Sequence, residues 1–305
     1  MRKVSTLVGL TLFALAGSAR AQETAAPAGD TAAAPAGDAA APVAAPVAAP
    51  VVAGAYPDEY ALRPLTLAAG TFQVTVPVVL NLSKNAVLKP VEVPLDLRFG
   101  VNDQLEVFIS HVPRFVAPLA VGGGVCLGGK DRGCMKSDGN SYIYNNANVG
   151  AQFSFFKNNG IELSGIGGLE VREISPDLLL AIDVGIGFKY VAAPLSIKAT
   201  PVIGIGANKR SEDNKEYISV PVQIAFQANP QLAVFLDSGI FGPTSHFGDL
   251  YGVPVGIGAS FLAMHGLDVG AEFMFRTLVG GSAYGSEIKG ANDRTLMVFA
   301  SYRTK

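Results

Sequence analysis

From about Gly70 to Tyr302 the apolar positions recur every second residue, and no long stretch repeats at the helical period. In Val91, Val93, Leu95, Leu97 and Phe99 one face is greasy, while Glu92, Asp96 and Arg98 fall on the other. The same alternation returns in Leu178, Leu180, Ile182, Val184, Ile186 and Phe188, set against Asp183, Gly185, Gly187 and Lys189. It returns in Ile218, Val220, Val222, Ile224 and Phe226, and in Leu267, Val269, Ala271, Phe273 and Phe275. Read between turn signals, this pattern predicts about twelve strands. They lie near 70–81, 90–100, 104–112, 141–156, 161–172, 178–190, 195–208, 217–227, 231–242, 250–262, 267–278 and 294–302.

These strands are longer than the roughly 5–6 residues usual in water-soluble sheets. They suit the roughly 9–11 residues that cross a bilayer at a tilt. Their connections alternate between tight and long. Asn102-Asp103, Asn159-Gly160, Ala193-Pro194, Asn229-Pro230 and His265-Gly266 mark tight turns, and 82–89, 113–140, 173–177, 209–216, 243–249 and 279–293 fill the other end. Composition then decides what wets the outside. Charged residues make up 16% of the chain against 49% hydrophobic, so a soluble exterior would lack the charge that such surfaces carry. The expected fold is all-β: a transmembrane antiparallel up-and-down β-barrel with short periplasmic turns and long external loops.

Ahead of the barrel lie two segments of different character. Residues 1–21 join Arg2 and Lys3 to an uncharged apolar run and end on Ala19-Arg20-Ala21, the make-up of a signal peptide cut near Ala21. That leader implies export, and together with the barrel pattern it gives the expected location, the outer membrane of a Gram-negative cell. Residues 22–62 are dominated by Ala and Pro, with AAPAGD at 25–30 repeated at 33–38 and prolines at 42, 46 and 50. Those prolines forbid a spanning helix, and the stretch reads as a disordered Ala/Pro-rich periplasmic linker. The barrel is then assigned to 63–305. With 23 basic against 25 acidic residues, three of the basic ones in the leader, nothing suggests a nucleic-acid partner.

The run Leu95-Asp96-Leu97-Arg98-Phe99-Gly100-Val101-Asn102-Asp103-Gln104-Leu105-Glu106-Val107 resembles a hairpin of bacterial outer-membrane β-barrel proteins of the transporter-like type. That resemblance is specific over one hairpin and architectural over the rest. It implies insertion by the barrel-assembly machinery, outer-membrane lipid around the wall and passage of a small solute. Leu296, Val298, Ala300 and Tyr302 resemble the apolar-to-aromatic ending of such barrels, departing from it in Arg303-Thr304-Lys305.

Candidate chemistry is sparse. Cys126 and Cys134 lie in the longest loop, and in an exported protein they are expected to form a disulfide, worth roughly 2–3 kcal/mol in the chain-entropy model. Without a His pair nearby they make a poor metal site, and no metal or cofactor is expected. Gly185-Ile186-Gly187, Gly204-Ile205-Gly206 and Gly256-Ile257-Gly258 lack the helix that a phosphate-binding glycine loop requires. They are expected instead to leave room for a bend or for a ring from the next strand. Ser245, His246 and Asp249 form the one local hydrolase-like grouping, and neighbours on a loop seldom meet triad geometry. No enzyme activity is expected.

The polar face carries the functional expectation. Glu92, Asp96, Arg98, Glu106, Glu162, Glu170, Arg172, Asp183, Lys189, Lys198, Asp237, Asp268, Glu272 and Arg276 are expected to point into the lumen, nine acids and five bases. Such a lining suits a passive or facilitating channel for a small solute through a mixed-charge, mildly acidic lumen. The alternatives are a non-conducting structural barrel whose charges pair across a filled interior, or a surface receptor or adhesin acting through the 113–140 loop.

Overall fold

The computed structural model describes residues 56–83, 91–111, 124–127, 144–174, 178–212, 214–284 and 289–304. Residues 1–55, read above as leader and linker, and Cys134 lie outside them.

Twelve antiparallel strands form a closed barrel. They are β1 (Phe72–Asn81), β2 (Val91–Val93 and Asp96–Gly100), β3 (Leu105–Ser110 and Gly124–Leu127) and β4 (Tyr144–Asn145 and Ala147–Asn158). There follow β5 (Ile161–Glu173), β6 (Leu179–Ala192), β7 (Leu195–Ala199 and Val202–Gly206) and β8 (Tyr217–Gln227). The last four are β9 (Leu232–Pro243), β10 (Gly252–Met264), β11 (Leu267–Gly280) and β12 (Arg294–Arg303). Each strand pairs with its sequence neighbours, and β12 closes on β1 through nine residue pairs from Gln73 opposite Arg303 to Asn81 opposite Thr295. Closure leaves no open edge, the condition for a sheet that sits in hydrocarbon. Interruptions in β2 and β7 fall at Pro94 and Pro201, residues that cannot donate to a ladder.

Alternation along each strand sorts the side chains as the pattern predicts. Ile182, Val184 and Ile186 of β6 are half exposed, and Ile257 of β10 is 65% exposed. Phe153, Leu169, Leu236, Phe261 and Val298 extend this apolar exterior round the wall. So wide an exposed apolar surface marks a membrane barrel of the kind that bacterial outer membranes hold. Among the described residues no helix is long and apolar enough to cross a membrane.

Two sequence expectations are corrected. The stretch 113–140 is not one continuous loop. Gly124–Leu127 returns to the sheet, extending β3 between Val91–Val93 and Tyr144–Asn145. Val125 and Leu127 supply exposed apolar side chains while Cys126 faces inward, the alternation of a wall strand. The linker also ends earlier than its composition suggests. Tyr56 to Leu62, assigned above to the linker, lie inside the barrel, and Ala61 is fully buried there. Tyr56 and Tyr60 mark the change, because aromatic rings give this stretch apolar area that an Ala/Pro spacer lacks.

Candidate functional site

Inside the barrel, strands β5 to β9 set a polar row at one level. Glu162 stands opposite Lys189, Lys189 opposite Lys198, Lys198 opposite Gln223, and Gln223 opposite Asp237. Cross-strand neighbours on one face lie close enough to pair, and the Gln223 amide donates to Asp237 at 3.2 Å. Between Asp237 on β9 and Glu272 on β11 the intervening positions of β10 are Gly256 and Gly258. A Cβ at Gly256 would sit 2.6 Å from Glu272 Oε1, and one at Gly258 would sit 2.4 Å from the Phe235 ring. Missing side chains on β10 thus leave space that the Glu272 carboxyl and the Phe235 ring occupy. Gly270 does the same for Phe299, with 2.3 Å to the ring, and Gly252 for Phe241. At Gly185 and Gly204 the space goes instead to Val202 and to the Arg172 guanidinium.

The short-turn end of this lumen is floored by the chain itself. Residues 56–69 enter at the turn between β10 and β11 and wind across the interior before Gly70 redirects them into β1. Gly70 does so at φ +74, a left-handed conformation that glycine adopts without strain. At the mouth, His265 Nδ1 lies 2.6 Å from Asp58, and the Arg303 guanidinium stacks 5.8 Å from the Tyr56 ring. Deeper in, a single 3-10 turn, Tyr60–Leu62, presses Tyr60 against Phe235 with ring centroids 5.5 Å apart. The Tyr60 hydroxyl donates to Gln223 at 3.2 Å, and the Ala61 amide donates to Gln227 at 3.0 Å. Arg63 grips both oxygens of Asp268 at 2.7 and 2.8 Å, and Asp268 also takes Arg303. The Lys189 ammonium donates to the Arg63 carbonyl. Amides of Leu65 and Leu67 then donate to Glu162 and Glu106 at 2.9 and 3.0 Å, and Ala69 to Asp103 at 3.1 Å. Burial pushes the Tyr56 phenol up to about 12 and Tyr60 higher still, so both stay neutral and add no charge.

Above this floor lies a chamber of about 360 Å³. Its walls carry the acids Asp96, Asp237, Asp268 and Glu272, the bases Arg63, Arg98, Lys189 and Lys198, and the rings of Tyr56, Tyr60, Phe235 and Phe299. Gln73, Thr75, Gln152, Ser196, Thr200 and Ser301 add hydroxyls and amides. Most of its charges are already engaged: Arg98 holds Asp96 at 2.9 Å and approaches Glu106 at 3.8 Å.

Of the other residues on the polar face, Glu92 is buried on β2. Arg172 meets Glu170 at 2.9 Å, and Asp183 accepts from Asn148 at the far end of the lumen. Arg276 pairs with Asp293. Beside them sit inward-facing apolar residues that the charge pattern did not flag: Phe108, Ile166 and Val202 form one cluster, Val79 and Met274 another. Each occupies a slot in the polar phase of its strand, as Phe108 does between Glu106 and Ser110, and that break in alternation was the available signal. Among the described residues no side-chain hydrogen bond joins Ser245, His246 and Asp249, and the Asp249 carboxylate accepts from Ser282 Oγ at 2.5 Å. Among the described residues no cluster of His, Cys, Asp and Glu could hold a metal ion. In the segment 211–216, Arg210 pairs with Glu216 and holds its carboxyl below the ordinary range.

No protein-family model matches the chain, and no curated protein matches it in sequence. Among solved structures it is similar to the NanC porin, with a TM-score of 0.51 and 6% identity over 75% of this chain and 98% of that one. The KdgM porin aligns over the same shares at a TM-score of 0.46 and 9% identity. At such identities the likeness is one of fold alone, a closed antiparallel β-barrel like that of the NanC porin.

Proposed function

We propose that this barrel is an outer-membrane channel for a small polar solute. The observation that carries the reading is the coexistence of an exposed apolar exterior with an internal chamber of about 360 Å³ walled by charged, hydroxyl and amide side chains. A barrel that served only as a scaffold would gain more from a closely packed interior, because buried ionic groups contribute little net stability compared with apolar packing. The hydroxyl and amide groups between its charges suit a solute rich in hydrogen-bonding groups. The test is planar-bilayer recording of the purified mature chain together with a chain lacking residues 56–69. Stepwise conductance from either preparation supports a channel, and silence from both, with the barrels folded, refutes it.

A non-conducting structural role is favoured by one feature, the floor of residues 56–69. The same recordings separate the two readings. A receptor or adhesin role through 113–140 draws on a stretch that lies mostly outside the described residues. Pairing of Cys126 with Cys134 is likewise our reading, supported by the inward, buried position of Cys126 and by the lack of a free thiol there. Cleavage near Ala21, a periplasmic linker and delivery by the barrel-assembly machinery complete the proposal.

A further inference from the structure

We infer that residues 56–69 are a displaceable plug, so that the channel conducts only when this segment leaves the lumen. The inference rests on the channel reading and adds its regulation. Three observations carry it. First, the segment belongs to the interior yet not to the wall. Its contacts before Ala68 run mostly from backbone amides and a few side chains to side chains of the barrel, with Thr66 on the Asp103 carbonyl, and none is a ladder pairing. Removing it leaves all twelve strands joined. Second, its anchors are polar groups that water can replace once it withdraws: Arg63 on Asp268, and amides on Glu162 and Glu106. Apolar burial adds to these anchors at two places, where Ala61 and Tyr60 meet Ala225 and Phe235 and where Leu65 and Leu67 are buried, while the hydrogen bonds and ion pairs run the whole length from Asp58 to Ala69. Third, the two ends differ. The C-terminal end is tethered at Gly70 beside β1, whereas the N-terminal end emerges at the mouth, where Asp58 meets His265. A pull on the preceding chain from the short-turn side draws Tyr56 out first and Leu67 last, peeling the contacts one after another.

Arg63 is the central latch. It joins Asp268 on β11 through its guanidinium, Lys189 on β6 through its carbonyl and the Tyr60 ring at 5.4 Å. It therefore ties opposite sides of the lumen to one residue.

The test compares three chains in planar bilayers, each first shown to be folded by heat-dependent migration on a gel. They are the mature chain, the chain lacking residues 56–69, and a full-length Arg63→Ala, Tyr60→Ala variant whose strands are untouched should the deletion fail to insert. A synthetic peptide of sequence 56–69 is then added to the deletion barrel from the short-turn side. A plug predicts rare openings for the mature chain and an open occupancy raised by roughly tenfold or more in both variants. It also predicts block by the peptide and none by its scrambled counterpart. Equal conductance from the mature and variant chains overturns the plug and leaves the channel standing. Silence from every chain overturns both.

Discussion

Alanine at Gly258 tests whether the wall glycines shape the interior. The added Cβ would lie 2.4 Å from two carbons of the Phe235 ring and 2.8 Å from the Ala271 carbonyl oxygen. Carbon pairs rest at roughly 3.5–4.0 Å, so the ring must retreat by more than about an ångström, and the carbonyl contact can be relieved only by moving backbone. Phe235 is 5% exposed and stacked on Tyr60, which leaves it no free direction. Overpacking of this kind costs about 1–3 kcal/mol, and loss of the ring pair adds about 0.5–1.5 kcal/mol. Replacing a strand glycine returns roughly 0.5–1 kcal/mol of backbone entropy. The net expectation is a destabilisation of about 1–3 kcal/mol. With no Trp in the chain, unfolding in urea is best followed by far-UV circular dichroism and by gel migration. The decisive comparison is a double-mutant cycle with Phe235→Ala. If the ring clash is the larger cause, Gly258→Ala costs less once the ring is gone, with only the Ala271 carbonyl contact left to relieve, and the coupling exceeds about 1 kcal/mol. Additive effects, or a Gly258→Ala barrel as stable as the parent, would refute the reasoning.

Three further outcomes are expected. Asp268→Asn leaves Arg63 and the buried Arg303 without their shared carboxylate. It should lower unfolding stability by about 3–5 kcal/mol, with partial recovery on adding Arg303→Met. An unchanged urea midpoint for Asp268→Asn counts against the triad. Ile257→Lys places a charge on the exposed apolar face of β10 and should cost about 2–4 kcal/mol for a barrel folded in lipid vesicles. A neutral result would mean that this face does not meet hydrocarbon. Intact-mass measurement should show the mature chain gaining the two hydrogens of a reduced disulfide on treatment with reductant. Two free thiols before treatment would exclude pairing of Cys126 with Cys134.

The wall was legible because its code is local. Period-two alternation and turn residues place strand ends within a few positions, and Tyr217–Gln227 coincides with the expected 217–227. Twelve strands and the long-loop, short-turn asymmetry follow from the same pattern. The second half of β3 was not legible, because Gly124–Leu127 is too short to show a period and rejoins the sheet through pairing with β2 and β4. The floor was hidden for a different reason. Residues 56–69 have no period of their own. Their conformation is set by acceptors that the barrel supplies from more than thirty to more than two hundred positions away, as with Leu67 on Glu106 and Arg63 on Asp268. Tyr56, Tyr60 and Arg63 were visible as a change in composition, but nothing local said that they turn inward.

That dependence alters how the charges of the polar face are to be counted. Read as a list, the lining is mildly acidic, which suggests a cation path. In the folded chain Glu106 and Glu162 accept plug amides, and Asp268 is taken by two arginines, one of them belonging to the plug. These carboxylates act as a socket while the segment is in place. Withdrawal of residues 56–69 removes Arg63 and returns the socket to water. Around the chamber and its base that leaves six carboxylates, Asp96, Glu106, Glu162, Asp237, Asp268 and Glu272, against Arg98, Lys189, Lys198 and Arg303. An excess of acid at a constriction raises the local concentration of cations. The barrel lacking 56–69 should therefore prefer potassium over chloride, read as the sign of the reversal potential across a salt gradient. Glu106→Gln with Glu162→Gln in that background should shift the potential toward zero. A preference for chloride in the deletion barrel would show that these carboxylates do not face the path, and the socket would then be no more than structural.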